Sequence, residues 1–235
     1  MGPYQQLLAK LPAVEEKIHY TFRDKSLLAL AFVHTSFYNE YRQEVALPNE
    51  RLEFLGDAVL GLLIAEYLYE RFPEAPEGFL ASLQASLVEE AMCSCFARHL
   101  DLSSFLLLGK GEQRNRGAER ESIQADLLEA LLAAVYLDGG LEQVKTFFWS
   151  HFTEEIERAL REPTRNWKAE LQELLQKNYQ TLPTYQLLQE YGPDHSKVFI
   201  IGVMFKGKLL GRGEGGSKKE AEQLAAKQAL QTLQS

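Results

Sequence analysis

The chain has 235 residues, a formal net charge of −8 at pH 7 and 46% hydrophobic residues, which is enough for one or two domains with cores of their own. No stretch reaches the ~18 uninterrupted apolar residues of a membrane span, since Val59 to Ala65 is followed at once by Glu66. The start, Met1-Gly2-Pro3-Tyr4-Gln5, lacks the basic-then-apolar pattern of a signal peptide, so a cytoplasmic protein without a membrane partner is expected.

Residues 4–18 and 24–37 read as amphipathic helices, with apolar positions at Leu7, Leu8, Leu11, Val14 and Ile18, then Leu27, Leu28, Leu30, Ala31 and Val33. His34-Thr35-Ser36 ends the second, and His34 beside an apolar face is read as a structural hydrogen-bonder rather than a base. Pro48 and Asn49 mark a helix start, with Asn49 able to cap the first free N–H groups. The helix runs from about Glu50 to Phe72, where Pro73 stops it. Glu50, Glu53 and Asp57 follow at steps of three and four and stack on one face. Acidic residues in a first turn merely complement the helix dipole, but Asp57 is two turns in, and its stripe continues into Leu60 and Ile64. A carboxylate row running into a core is costly unless something positive sits on it.

Pro73 to Gly78 reads as a turn. Cys93 and Cys95 are the only cysteines; one intervening residue suits neither a zinc knuckle nor an easy disulfide. They read as buried small hydrophobes in a reducing compartment. Leu106 to Glu121, with Gly109, Gly111, Arg114, Arg116, Gly117 and Arg120, reads as a solvated connection in preference to a mobile ligand-contacting segment. A second acidic helix follows, in which Asp126 and Glu129 are three apart, and it ends at Asp138-Gly139-Gly140. Two short acidic stripes on apolar helices can face each other and form an oxygen-only cage, the donor set that Mg²⁺ or Mn²⁺ selects.

The run Asn49-Glu50-Arg51-Leu52-Glu53-Phe54-Leu55-Gly56-Asp57-Ala58-Val59-Leu60 resembles the signature of the ribonuclease III family, endonucleases that cut double-stranded RNA. Asp126-Leu127-Leu128-Glu129-Ala130-Leu131 is similar to its second acidic motif. The resemblance implies that Glu53, Asp57, Asp126 and Glu129 bind the metal, with Asp57 and Glu129 central to catalysis and Glu50 an outer or RNA-proximal group. It also implies that Glu77, just before a Gly-x-Leu motif, is an accessory carboxylate, and that Phe54 projects into a second subunit of a homodimer. Where the family has Ser and Arg, this chain has Ala81 and Gln84, which removes a hydroxyl and a positive charge from that helix.

One more helix, about Leu141 to Leu160, closes an all-α domain spanning 1–160, and 161–165 reads as a linker. From residue 166 the periodicity changes. Trp167 to Lys177 reads as a helix, Thr184 to Gln189 and Lys197 to Phe205 as strands, Lys206-Gly207 as a hairpin turn into Leu209-Leu210, and Ser217 to Leu233 as a helix. Residues 1–165 carry 16 Lys+Arg against 26 Asp+Glu, and residues 166–235 carry 9 against 7, so the acidic part holds the metal-site motifs and the mildly basic part is the candidate for gripping RNA. Ser217 and Glu220 fit a capping box. Lys218 and Lys219 then occupy a first turn where cations are unfavourable unless an anion completes the site.

The α-β-β-β-α order over 166–235, with Gly192-Pro193-Asp194-His195 and Gly215-Gly216-Ser217-Lys218-Lys219, resembles a double-stranded-RNA-binding domain. That likeness implies phosphate contacts from Lys218 and Lys219, and minor-groove contacts from His195, Gln172 and Glu173. Such domains read A-form shape over about 16 bp. The whole chain is thus expected to be an all-α endonuclease domain followed by a small α+β domain. The expected activity is divalent-metal-dependent hydrolysis of duplex RNA, including structured ribosomal and messenger precursors, to 5′-phosphate and 3′-hydroxyl ends. The competing reading is a catalytically weak RNA-binding scaffold of the same fold, whose mark would be a lost carboxylate.

Overall fold

The computed structural model describes residues 2–161, 167–192 and 197–234. The chain divides into two units, residues 1–163 and 164–235, each built on its own apolar cluster.

The first unit is helical. Helix α1 (Pro3–Ile18) opens with Pro in its first turn, where the missing N–H costs nothing, and closes on His19 in the left-handed region. Helix α2 (Lys25–Ala31) is capped by Asp24, whose carboxylate accepts the Ser26 N–H at 2.9 Å. The single helix expected over 24–37 is two helices. Val33 leaves the helix to bridge to Leu107, and His34 then starts α3 (Thr35–Glu40) by accepting the Ser36 N–H on Nδ1 at 3.1 Å. His34 is structural, but as the cap that opens a helix.

Helix α4 (Glu50–Arg71) begins after Asn49, as the sequence suggests, yet the Asn49 side chain does not cap it. Asn49 is buried; its Nδ2 donates to the Ala31 carbonyl at 3.1 Å and its amide N–H to Val33 O at 2.8 Å. It pins the α2–α3 joint instead. Helix α5 (Glu77–Leu87) docks on α4 through Gln84, whose Nε2 donates to Gly61 O at 3.0 Å. The departure at Gln84 therefore has a packing use. On α6 (Glu90–Leu100), Cys93 is buried but Cys95 is exposed, and both are free thiols. The expected burial of both fails because two residues along a helix lie on opposite sides.

Segment 106–121 is more structured than a solvated connection. It contains α7 (Lys110–Arg114) and a 3₁₀ turn at Gly117–Glu119. Ser36 Oγ accepts the Gly109 N–H and a Glu40 oxygen accepts the Lys110 N–H, both at 2.9 Å. Helix α8 (Glu121–Gly139) is the spine of the unit: its side chains from Leu127 to Val135 are buried apart from Glu129. A helix apolar nearly all round is one that others enclose, here α2, α4, α6 and α9 (Leu141–Arg161).

The crossing of α4 and α8 positions everything that follows. A Cβ placed on Gly56 would stand 1.8 Å from the Glu129 carbonyl oxygen, so the two backbones touch there, and only glycine permits it. Among the described residues, no helix is long and apolar enough to cross a membrane.

The expected linker lies outside the described residues, except that Arg161 ends α9. The second unit has α10 (Trp167–Tyr179), then β1 (Thr184–Tyr191), β2 (Val198–Phe205) and β3 (Lys208–Gly215) in an antiparallel sheet of that order, then α11 (Lys218–Gln234). Lys206 and Gly207 both have positive φ, as a two-residue hairpin loop of the primed type requires. Helix α11 lies against the sheet at small residues. A Cβ on Gly211 would meet Ala225 O at 2.4 Å and one on Gly213 would meet Ala221 O at 2.1 Å.

Candidate metal centre and nucleic-acid interface

Helix α4 brings Glu50, Glu53 and Asp57 to its crossing with α8, which brings Asp126 and Glu129. Carboxylate oxygens of Glu53, Asp126 and Glu129 lie within 4.8 Å of one another, and all three side chains are half-buried. The close backbone contact at Gly56, between Glu53 and Asp57 in sequence and against Glu129 in space, sets that separation.

Asp57 differs from the expectation of a carboxylate entering a core. It is exposed, although Leu60 and Ile64 further along the helix are fully buried. Leu52 and Gly56 before it and Val59 and Leu60 after it are buried, so Asp57 sits on a side of α4 that is open to solvent. Asp57 stands outside the group of three, yet it is near enough to be the largest charge acting on Glu129. Glu50 is exposed too, and its charge reaches Glu53 and Asp126.

Burial and like charge act together here. Burial, then Asp57, Glu53 and Asp126, push the Glu129 carboxyl from the ordinary 4.5 up to about 8. Glu53 is raised by burial and then by Asp126, Glu50 and Asp57. Asp126 is raised by burial and by Glu90, with Arg120 opposing. Among the described residues, none of Glu53, Asp57, Asp126 and Glu129 takes part in a side-chain hydrogen bond or salt bridge. A half-buried set of carboxylates with no cation paired to it is what a hard divalent ion satisfies. The donors are all oxygen, so they fit such an ion.

Sequence reasoning missed two contributors. Gly56 stands inside the first acidic motif, but its role depends on the partner helix that passes against it. Glu90, in the first turn of α6, acts on Asp126 from a third helix, and nothing in its local pattern signals this. Glu77 is exposed at the start of α5 and lies outside the group of three. Phe54 is 81% exposed. It heads an apolar stripe along α4 that continues through the exposed Ala58, Leu62 and Tyr69.

In the second unit, Ser217 Oγ accepts the Glu220 N–H at 3.2 Å, and a Glu220 oxygen accepts the Gly216 N–H at 2.8 Å. The capping box thus forms with its return bond one residue earlier than the standard pattern. Lys218 and Lys219 are exposed at the start of α11, with the Lys218 ammonium 5.7 Å from the Phe199 ring centre. Gln172 and Glu173 are exposed on α10 between the buried Leu171 and Leu175. His195 lies outside the described residues.

Residues 24–156 match a family model described as ribonuclease-III-like, and residues 167–233 match the double-stranded RNA binding motif. The chain belongs to the ribonuclease III family. Ribonuclease 3 of Protochlamydia amoebophila (strain UWE25) is 55% identical over 234 residues, covering 100% of this chain and 96% of that one. Ribonuclease 3 of Caldanaerobacter subterraneus subsp. tengcongensis is 47% identical over 95% of this chain and 98% of its own. A crystal structure of the nuclease domain of ribonuclease III from Campylobacter jejuni is 41% identical, with a TM-score of 0.55, over 60% of this chain and 92% of that one. A second structure of that domain, described by structural flexibility in a region involved in dimer formation, has a TM-score of 0.54 at 41% identity, over 60% of this chain and 96% of that one.

This member of the ribonuclease III family is an endoribonuclease acting on double-stranded RNA, with a helical nuclease domain and a double-stranded-RNA-binding domain. The family is divalent-metal dependent, and this chain has the acidic cluster for it. All four carboxylates of the two motifs are present, and no observation favours the scaffold reading.

Proposed function

We propose that Glu53, Asp57, Asp126 and Glu129 hold one or two Mg²⁺ ions, with Mn²⁺ able to replace them, and that Asp57 and Glu129 are the residues on which cleavage depends most. The observation that carries this reading is the convergence of Glu53, Asp126 and Glu129 oxygens within 4.8 Å from two helices, without a cation of the chain's own paired to them. A divalent ion bound there supplies Lewis-acid stabilisation of developing charge and a water of lowered pKa for in-line attack on phosphorus. Glu129 holds a proton below about pH 8 in the ion-free protein, and that proton leaves when an ion binds. The exposed Asp57 faces solvent beside the half-buried three, where an incoming phosphate would arrive. Glu50 lies further out, and Glu77 is an accessory carboxylate.

The partner reading extends this. The catalytic domain forms a homodimer through the apolar stripe headed by Phe54, whose exposure is far beyond what a lone surface phenylalanine needs. Two centres related by such a dimer cut opposite strands of one duplex, leaving 5′-phosphate and 3′-hydroxyl ends with a short 3′ overhang. Lys218 and Lys219 meet phosphates, while Gln172, Glu173 and His195 reach the minor grooves. Structured ribosomal and messenger precursors in the cytoplasm are the substrates, which suits a chain whose two cysteines are both free.

The deciding experiment is end-mapping of products from a long perfect RNA duplex incubated with the protein and Mg²⁺. Paired cuts with 5′-phosphate ends and short 3′ overhangs support the reading. Binding without cleavage would return the scaffold, and unpaired single-strand nicks would remove the dimer.

A further inference from the structure

Three of the chain's five histidines line one cavity of about 430 Å³ in the first unit, and the α4–α8 carboxylates are not part of its wall. His19 comes from the end of α1, His99 from the last turn of α6 and His151 from the middle of α9. Lys17, Asp101 and Ser150 complete its polar lining.

The hydrogen bonds define which ring nitrogens are engaged. His99 Nδ1 is 2.8 Å from a Glu155 oxygen, so Nδ1 is the donor of that contact and Nε2 is left over. His151 Nε2 is 2.9 Å from the Ile18 carbonyl, so Nε2 carries the proton and Nδ1 keeps its lone pair. A ring held through one N–H by a carboxylate or a backbone carbonyl, with the other nitrogen left over, is the arrangement found behind metal-ligating histidines. The His19 ring lies parallel to His151, 6° from coplanar orientation, with ring centres 5.8 Å apart.

The surroundings favour a cation over an anion. Helices α1 and α6 both end at this cavity, and helix C-termini present partial negative charge. Both end on a non-glycine residue in the left-handed region, His19 and Asp101, which projects a side chain where a glycine usually sits. The second oxygen of Glu155 is buried without a hydrogen-bond partner, adding negative potential behind His99. The one lysine present is neutralised: Lys17 Nζ is 2.7 Å from an Asp101 carboxylate oxygen and 3.2 Å from the Asp101 carbonyl. Ser150 spends its hydroxyl proton on Phe147 O.

We infer that this cavity binds a borderline transition ion such as Zn²⁺ or Ni²⁺ through the imidazoles of His19, His99 and His151, with water completing the shell. It is separate from the oxygen-lined centre and of the opposite preference, since imidazole selects zinc and nickel where carboxylates select magnesium. No three of these donor atoms lie within 4.8 Å of one another, and binding requires the exposed rings of His19 and His99 to swing inward toward zinc–nitrogen distances of about 2.0–2.1 Å. The bound ion ties α1, α6 and α9 together and stabilises the nuclease domain.

The test is calorimetric titration of the full chain with Zn²⁺ in a large excess of Mg²⁺, which keeps the carboxylates occupied. One ion per chain is expected, with affinity falling at least tenfold in H99A and in H19A, and about ten- to a hundredfold in E155Q through loss of the charge behind His99. Co²⁺ in place of Zn²⁺ should give the intense visible bands of a nitrogen-ligated tetrahedral ion, absent in H19A/H99A. His151 packs between Phe147 and Phe152, so the exposed pair carries the test, with a thermal melt of each variant to show that it folds. Duplex cleavage in Mg²⁺ should be unchanged in these variants. Zn²⁺ affinity unaltered in H19A/H99A overturns the inference. So does no zinc uptake in excess Mg²⁺, or a cavity that takes inorganic phosphate below pH 6 in place of zinc.

Discussion

Replacing Glu129 with Gln separates the electrostatic from the chemical role of the acidic centre. Glu129 is raised from 4.5 to about 8 by burial and by Asp57, Glu53 and Asp126. Between those values the folded protein keeps a proton that the unfolded chain has lost, so ion-free stability falls as pH rises through that window. At about 1.36 kcal/mol per unit the full shift would be worth roughly 5 kcal/mol; solvent reaches this half-buried carboxylate, and screening reduces the figure to roughly 2 kcal/mol. Gln keeps the shape and cannot ionise. In EDTA at about pH 8.5 the variant should melt about 4–8 °C above the parent, taking about 2–4 °C per kcal/mol for a chain of this size, and the two should converge toward pH 4. Mg²⁺ should raise the parent's midpoint and leave the variant's nearly unmoved, while cleavage is lost and duplex binding in Ca²⁺ persists. Thermal melts over that pH range, with and without Mg²⁺, decide it. A variant that melts lower than the parent at pH 8.5 in EDTA, or a parent midpoint flat from pH 6 to 8.5, would refute the electrostatic reasoning.

Changing Gly56 to Ala places a methyl 1.8 Å from the Glu129 carbonyl oxygen; the helices must part, at a cost of about 1–3 kcal/mol, and Mg²⁺ affinity read by titration should fall with the unfolding midpoint. Phe54→Ala removes an 81% exposed ring, so the subunit's own stability should hold while dimerisation weakens by about 1.5–3 kcal/mol, or roughly ten- to a hundredfold; sedimentation equilibrium giving an unchanged dissociation constant would place the interface elsewhere. Converting Lys218 and Lys219 to Ala should lower the slope of log affinity against log salt by about 1–2 units for duplex RNA, and an identical slope would remove both from the phosphate contacts.

The order of elements was largely legible because each rests on local periodicity. The acidic stripes of α4 and α8 could be read from spacings of three and four alone, and the capping box at Ser217 from its two residues. What escaped was set by distant contacts. The apolar pattern Leu27, Leu28, Leu30, Ala31, Val33 continues smoothly, so nothing local announces that Val33 leaves the helix to pair with Leu107. Asn49 has the residue type of a cap but spends its amide on Ala31 O, eighteen residues back. The arginine- and glycine-rich 106–121 segment looks solvated, yet Ser36 and Glu40 hold its backbone. At the acidic centre, spacing showed which carboxylates share a face of one helix; how near they come to those of the other helix depends on a glycine whose partner is 73 residues later in the chain.

That dependence also explains why the centre tolerates its own repulsion. Three carboxylates within 4.8 Å oppose one another, and without an ion that opposition must be offset elsewhere. It is offset by the core beneath them: Leu52, Val59, Leu60, Leu63 and Ile64 on α4, with Leu127, Leu128, Leu131 and Leu132 on α8, are all buried. Each such side chain contributes about 1.5–3 kcal/mol of burial, so the crossing as a whole outweighs the few kcal/mol of charge crowding. Protonation of Glu129 relieves part of that crowding, and a divalent ion held there, as proposed, would relieve the rest. The apolar crossing thus holds the oxygens at a distance they would not choose, and the charge crowded there is what would draw the proposed metal.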